Sequence, residues 1–199
     1  NTVGFDLYCK LLAESIQELK GEEVPDTTKK DTVTVDVGLD ALISDDYVTD
    51  LAQKMNLYQR LALVTTLDQS AALLKEIRDR FGPLPEAVVN LFFLLDLKLR
   101  ALEANVQVIK KSLGSRVQGP GSRGPGEVLL VLSEGATFDR AALHRRFGQS
   151  LRLGTQQLHL QASGDHWREQ LPRLLDALGE AKHRARPSAL EIAAASTRA

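Results

Sequence analysis

Two carboxylates at positions 76 and 79 have the spacing that most clearly suggests a function. The segment around them has the periodicity of a helix whose apolar stripe includes Leu74, Ile77 and Phe81. At about 100° per residue, Glu76 and Asp79 lie side by side, about 160° from that stripe. Two interpretations are open. The pair belongs to a local salt-bridge pattern with neighbouring basic residues, or it forms a docking patch for a basic partner surface.

A glycine-rich segment at 119–124, GPGSRG, matches the GxGxxG pattern of dinucleotide-binding loops. Such a loop follows a strand and opens a helix, whereas here a predicted strand over 127–132 follows it. Pro120 and Pro125 remove two amide donors that a phosphate would need, and Pro125 stands where a Walker A loop requires lysine. We therefore interpret the segment as a flexible hairpin loop and predict no bound cofactor.

Histidine and cysteine spacing favours neither a metal site nor nucleophilic catalysis. The four histidines lack metal-ligand spacing, and the chain has one cysteine and no GxSxG sequence. These residues are His144, His159, His166, His183 and Cys9. We predict no catalytic residue, no metal site and no enzymatic activity in this chain.

The formal net charge of −1 is the sum of two halves of opposite sign. Residues 1–99 hold 10 Lys and Arg against 17 Asp and Glu, which gives −7; residues 100–199 hold 15 against 9, which gives +6. The even total argues against a dedicated polyanion binder, whereas the split suggests interaction surfaces. An ordinary solvated surface with unevenly distributed charges is the alternative.

Compartment and completeness can also be predicted from the sequence. A single cysteine, no signal peptide and no apolar run of about 20 residues predict a cytoplasmic protein outside the membrane. Because the chain begins with Asn1 rather than methionine, we expect it to be a fragment of a longer protein.

Hydrophobic periodicity predicts an α+β fold that positions these residues. We expect a connecting helix within 1–22, a linker over 23–32, a domain over 33–182 and a flexible tail over 183–199. The connecting helix could pack on this domain or on a neighbour. The domain consists of a helical block followed by a small mixed or antiparallel sheet with flanking helices. Predicted helices span about 50–64, 67–81, 85–105, 141–147 and 166–181, and predicted strands span 32–43, 106–109, 115–118, 128–132 and 157–161.

Several local signals support these elements. Thr66 is a predicted N-cap with Gln69 reaching back in a capping box, and Trp167 is a predicted packing anchor. The residues that we expect to face the core include Leu51, Tyr58, Leu61, Ala62 and Leu102.

Short stretches of the chain resemble the C-terminal part of bacterial transcription-repair coupling factors. In order and spacing they cover residues 3–20 and 33–111. They are VGFDLY at 3–8, DDYV at 45–48, LYQRLA at 57–62 and DRFGPLP at 79–85. The chain departs from the family at Ser44 and Thr49, where proline is usual, and in the loop at 119–126.

The resemblance implies a regulatory, non-catalytic domain of an ATP-driven DNA translocase that removes stalled RNA polymerase and recruits nucleotide-excision repair. In this family the domain docks on the protein's own UvrB-like N-terminal module and covers the surface that binds UvrA. Acidic side chains just before the Asp-Arg-Phe-Gly motif contact basic residues of that module, and by position they match Glu76 and Asp79. The parent would bind ATP and DNA through its motor, and UvrA and RNA polymerase would be indirect partners of a monomeric domain.

A module that binds DNA or RNA polymerase through the basic half, residues 100–199, is the alternative function. Its contacts would be Arg140, Arg145, Arg146 and Arg152. It predicts affinity for duplex DNA that falls steeply with salt.

Overall fold

The computed structural model describes residues 33–112, 126–162 and 164–185, with side chains through residue 180. The predicted connecting helix and linker, the strand at 115–118, and the glycine-rich loop up to residue 125 lie outside the described residues. So do Cys9 and the tail beyond residue 185.

The described residues form five helices and five strands. The helices are α1 (Leu51–Ala62), α2 (Leu67–Phe81), α3 (Glu86–Glu103), α4 (Arg140–Phe147) and α5 (Trp167–Ala185). The strands are β1 (Thr34–Asp36), β2 (Val106–Ser112), β3 (Gly126–Leu132), β4 (Leu151–Leu153) and β5 (Gln157–Ala162).

One mixed sheet forms the second half of the fold. Its strand order is β1-β2-β3-β5-β4, in which β1 runs parallel to β2 and the remaining pairs are antiparallel. A core that includes Leu97 of α3, Leu130 of β3 and Leu171 of α5 is fully buried beneath it. The α+β prediction, with a helical block followed by a small sheet, is confirmed.

A second core holds α1 and α2 against α3. Leu61, Ile77 and Leu91 contribute one buried side chain from each of the three helices. Helix α3 takes part in both cores, because Leu91 faces the helical block and Leu97 faces the sheet. The two halves of the domain therefore share one helix.

Strand β1 is shorter than the predicted strand over 32–43. The expected alternation holds, since Val33, Val35 and Val37 are buried. However, β1 is an edge strand with one partner, and Gly38 has a φ of +69°, a left-handed conformation that interrupts an extended chain. The alternation of apolar residues correctly predicted which face of the segment is buried, but it did not predict where the hydrogen bonding of β1 to β2 ends.

The N-terminus of α2 confirms the predicted capping box with one difference. The Thr66 side chain accepts a hydrogen bond from the Gln69 amide at 3.3 Å. The Gln69 side chain accepts from the Thr65 amide at 2.9 Å, one residue before the N-cap. The helix ends as predicted at Gly82, whose φ of +90° suits a residue without a Cβ.

The turn before α1 forms without the prolines that the family usually has. The Ser44 carbonyl accepts hydrogen bonds from the amides of Tyr47 at 3.2 Å and Val48 at 3.1 Å. Asp50 then caps α1 by accepting from the Gln53 amide at 2.8 Å. Backbone and side-chain hydrogen bonds define this turn where the usual prolines are absent.

Three predicted core positions are wrong. Leu51 is 71% exposed, Leu102 is 39% exposed, and Ala62 is also exposed. All three lie in the first or last turn of a helix. The apolar period continues there, but the neighbouring element no longer covers it. By contrast, Trp167 is 1% exposed, which confirms it as a packing anchor.

Asp96 of α3 gives the helical block a pH-dependent contact, because it accepts a hydrogen bond from the Ser70 hydroxyl of α2 at 2.6 Å. Burial raises the pKa of Asp96 despite that bond and the nearby Arg100. The protonated Asp96 side chain therefore stabilises the folded domain. This contribution is greatest at a pH below the pKa that Asp96 has in the unfolded chain, and it is lost as the pH rises through the pKa that Asp96 has in the folded domain.

We expect Asp96→Asn to increase the free energy of unfolding by up to about 1 kcal/mol at pH 7 and by progressively less towards pH 4. Asparagine keeps an acceptor for Ser70 but carries no buried charge. Urea denaturation at both pH values measures the difference, with exposed Glu103→Gln as the control. An equal increase in the free energy of unfolding at the two pH values would show that ionisation of Asp96 is not the cause.

Candidate functional site

Glu76 and Asp79 lie on the outer side of α2, as the helical period predicts. Their side chains are 46% and 58% exposed. The opposite side of the helix is buried, with Leu73 and Ile77 at 5% and 1% exposure. The two carboxylates, with Gln69 and Ala72 on the same strip, are therefore presented to solvent.

Glu76 is held by an arginine of the neighbouring helix. The two guanidinium nitrogens of Arg60 on α1 each donate to one carboxylate oxygen of Glu76, both at 2.6 Å. The side-chain hydrogen bond from Arg60 lowers the pKa of Glu76, and the same bond raises the pKa of Arg60. The carboxylate is therefore ionised at neutral pH, fixed in direction, and left with acceptor sites for a second cation.

Asp79 is less constrained than Glu76. Its nearest cation is the Nε of Arg78, the adjacent residue, at 3.7 Å, which is too long for a hydrogen bond. A partner could therefore approach Asp79 without displacing a strong contact.

Two of the stretches that carry the family resemblance, DDYV at 45–48 and DRFGPLP at 79–85, meet at the C-terminal end of α2. Tyr47 donates to the Gly82 carbonyl at 3.0 Å, and its ring lies 6.0 Å from that of Phe81. Burial raises the pKa of Tyr47. Arg80 donates to the Gln53 side chain of α1 at 3.2 Å. These residues fix α2 against α1 and the preceding turn, and so position the two carboxylates.

A groove of about 340 Å³ runs between α1 and α2 beside Glu76. Its lining residues are Arg60, Leu63, Val64, Gln69, Ala72, Leu73 and Glu76. Sequence reasoning did not single out Arg60 or Leu63 as part of the site. The only signal for Arg60 was its place in the LYQRLA stretch at 57–62.

The arginines of α4 are engaged to different degrees. Arg140 donates to the Gly154 carbonyl at 2.6 Å, and Arg146 lies 3.9 Å from Glu180. Arg145 is exposed, and its side chain makes no hydrogen bond or ion pair within the described part of the chain.

Arg152 belongs to a separate group on the sheet. It forms an ion pair with Glu127 of β3, which also lies 3.2 Å from His159 of β5. The four arginines proposed for nucleic-acid binding are therefore divided between two places, and three of them have partners.

The described residues hold neither a metal-ligand cluster nor a membrane-spanning helix. Over 33–112, 126–162 and 164–185 no group of three or more His, Cys, Asp or Glu side chains could hold a metal ion. No helix within the same ranges is long and apolar enough to cross a membrane.

The strand expected after the glycine-rich loop is present as β3.

The role of Arg60 can be measured directly. We expect Arg60→Gln to raise the pKa of the Glu76 carboxyl towards its ordinary value, because the bidentate hydrogen bond is lost. A carbon-13 NMR titration of the side-chain carboxyl reports this value. Lys75→Gln, which removes a cation from α2 itself, should change it little; an equal shift in both variants would exclude a specific Arg60 contact.

Comparison with known proteins gives a consistent result. Residues 37–118 match the family model of the TRCF domain. The chain is 30% identical over 194 residues to the transcription-repair-coupling factor of Bacillus subtilis, a match that covers 92% of this chain and 15% of that protein. It is 34% identical over 110 residues to the transcription-repair-coupling factor of Staphylococcus aureus, a match that covers 55% of this chain and 9% of that protein.

A solved structure shares the fold. The crystal structure of a C-terminal domain of transcription-repair coupling factor aligns with a TM-score of 0.62 at 16% identity, over 78% of this chain and 96% of that chain. The chain thus spans about 15% or less of the length of these curated relatives but nearly all of this domain.

Proposed function

The chain carries a TRCF domain and has the fold of the C-terminal domain of transcription-repair coupling factor, and from this premise we propose that it is a non-catalytic regulatory domain of a transcription-coupled DNA-repair translocase. It docks on the UvrB-like N-terminal module of the same protein. In that position it covers the surface that binds UvrA and restrains the ATP-driven motor.

The observation that carries this proposal is the outward pair of carboxylates on α2. Glu76 is fixed by Arg60 at 2.6 Å, and Asp79 is more than half exposed beside it. Both match the acidic positions that, by resemblance, contact basic residues of the UvrB-like module, which we propose are arginines. A rigid carboxylate loses little conformational freedom when a partner arginine binds, which favours such a contact.

The proposed docking is a two-state switch. When the carboxylates pair with the module, the UvrA-binding surface is closed; when polymerase engagement remodels the motor, it opens. Because charge pairs that lose water at an interface couple strongly, two of them can set the population of the closed state. Screening by salt should shift that population towards the open state.

We expect the double variant Glu76→Ala and Asp79→Ala, in the intact parent protein, to bind UvrA more tightly and to hydrolyse ATP faster without substrate. Pull-down with UvrA and a coupled ATPase assay measure the two effects. Lys75→Ala with Arg78→Ala, on other faces of the same helix, is the matched control. If UvrA binding and basal ATPase were unchanged in the carboxylate variant, the clamp would not depend on this pair.

The nucleic-acid alternative is supported by the exposed Arg145 and the charge of +6 over residues 100–199. It requires the purified chain to bind duplex DNA at low salt with affinity that falls as salt rises. Fluorescence anisotropy with labelled duplex tests this directly. Absence of binding at low salt would remove it, and a loss of binding in Arg145→Ala would support it.

A further inference from the structure

We propose that the groove between α1 and α2 receives a large apolar side chain of the docking module, carried next to the basic residue that reaches Glu76. This inference rests on the proposed function, because it concerns the same partner. It adds an apolar contact centred on Leu63 to a surface that the sequence presented as purely electrostatic.

The groove has an apolar interior. Leu73 of α2 is 5% exposed and forms part of the buried core, whereas Leu63, directly after α1, is 75% exposed. Half-buried Val64 and exposed Ala72 also line the groove. These four side chains offer a partner continuous aliphatic surface that leads from solvent to the core.

Both charged side chains of the groove and the Gln69 carbonyl oxygen already have partners in the domain. Arg60 and Glu76 satisfy each other, and the Gln69 carbonyl oxygen accepts from the amide and the hydroxyl of Thr65 at 2.9 and 3.2 Å. The groove offers a partner its aliphatic surface and the spare acceptor sites of the Glu76 carboxylate. This combination suits a segment that pairs an apolar side chain with a cation.

Charge favours a basic partner over a second copy of this chain. Residues 33–103, which contain the whole helical block, hold seven Lys and Arg against eleven Asp and Glu, a balance of −4. Two copies facing each other through this groove would bring two acidic blocks together. A basic module reduces that charge instead, and an apolar side chain beside its cation would exclude water from the pair.

The groove is open and of modest size. Its volume of about 340 Å³ lies near the lower end of the range for small-molecule pockets, and three of its seven lining residues are charged or amide side chains. The groove has room for a bulky side chain, which the rest of a protein surface would hold in place.

The test titrates the 199-residue chain with the separately produced UvrB-like module. We expect Leu63→Ser to weaken binding roughly tenfold, because burial of a leucine side chain is lost. Leu51→Ser is the matched control: Leu51 is 71% exposed and lies at the other end of α1, about 18 Å away. Since both leucines are exposed, thermal melting of the two variants should match that of the wild type.

Methyl NMR gives a second readout that does not depend on substitution. On addition of the module, the methyl signals of Leu63 and Val64 should shift, whereas those of Leu51 should not. Sedimentation velocity of the chain alone tests the competing occupant. A concentration-dependent dimer that Leu63→Ser abolishes would show that a second copy fills the groove, which would overturn the inference.

Two further outcomes separate this inference from the proposed function. In the first outcome, the module binds and charge variants at Glu76 and Asp79 weaken that binding, but Leu63→Ser behaves like Leu51→Ser and the Leu63 methyl signals are unchanged. The groove is then not used, and the docking function stands. If the wild-type chain does not bind the module at all, both the docking function and the apolar contact are wrong.

Discussion

Reversing both carboxylates of the α2 strip, Glu76→Lys with Asp79→Lys, should weaken binding of the chain to the UvrB-like module by about a hundredfold. Each substitution removes an attraction and places a cation opposite the basic surface of the module. At position 76 the new lysine also faces Arg60, so the ion pair at 2.6 Å becomes a repulsion. Isothermal titration calorimetry of the chain with the module measures the affinity.

A control with the same change in net charge separates a local contact from general electrostatic attraction. Glu134 and Asp165 are exposed and lie in turns of the sheet half of the domain. Glu134→Lys with Asp165→Lys should therefore reduce affinity only slightly, by an amount that salt removes. If the two double variants lost affinity equally, long-range charge rather than the α2 strip would account for docking.

Replacing Trp167 with alanine should lower the free energy of unfolding by about 3–5 kcal/mol, a large part of the stability of an ordinary domain. The Trp167 side chain, at the start of α5, is 1% exposed. Its ring meets that of Phe93 edge-on, with the two centroids 6.0 Å apart. The Lys111 ammonium lies 4.4 Å from the centre of the Trp167 ring. Alanine removes both ring contacts and leaves a cavity between the sheet and its helices. Urea denaturation followed by circular dichroism measures the loss.

Two further variants test which contacts of Trp167 account for the loss of stability. The indole nitrogen of Trp167 has no hydrogen-bond partner among the residues that the structure describes, so Trp167→Phe should lose packing without breaking a hydrogen bond and should cost clearly less than alanine. Val89→Ala, at a position 44% exposed on the helix that carries Phe93, should change stability by no more than about 0.5 kcal/mol. A Trp167→Phe variant as unstable as Trp167→Ala would indicate that the indole nitrogen has an essential partner.

Long amphipathic segments explain why much of the fold could be predicted from the sequence. The expected helix over 67–81 coincides with α2, because its apolar stripe, its Thr66 cap and its terminal Gly82 all agree. Strand β4 was not predicted, since three residues are too few to show alternation. Helix α5 continues to Ala185, beyond the predicted end at 181, because the polar residues there carry no stop signal.

The candidate site was predictable only in part, for a physical reason. Helical geometry alone gave the outward direction of Glu76 and Asp79 and left a docking patch as one of two interpretations, whereas the UvrB-like module as their partner is implied by the resemblance. The pairing of Glu76 with Arg60 depends on how α1 sits against α2, and neither helix's own period contains that information. The same holds for Leu63, whose exposure depends on where the neighbouring helix ends.

The sharing of α3 between two cores has a consequence for hydrogen exchange. Leu97 anchors α3 to the sheet, and Leu91 packs only towards the helical block. The pair α1 and α2 can therefore open as a unit while α3 stays on the sheet, whereas α3 can exchange its amides only when both cores open. The proposed docking surface thus lies on the part of the domain with the lower expected opening free energy, and a bound module should slow exchange in α1 and α2 most.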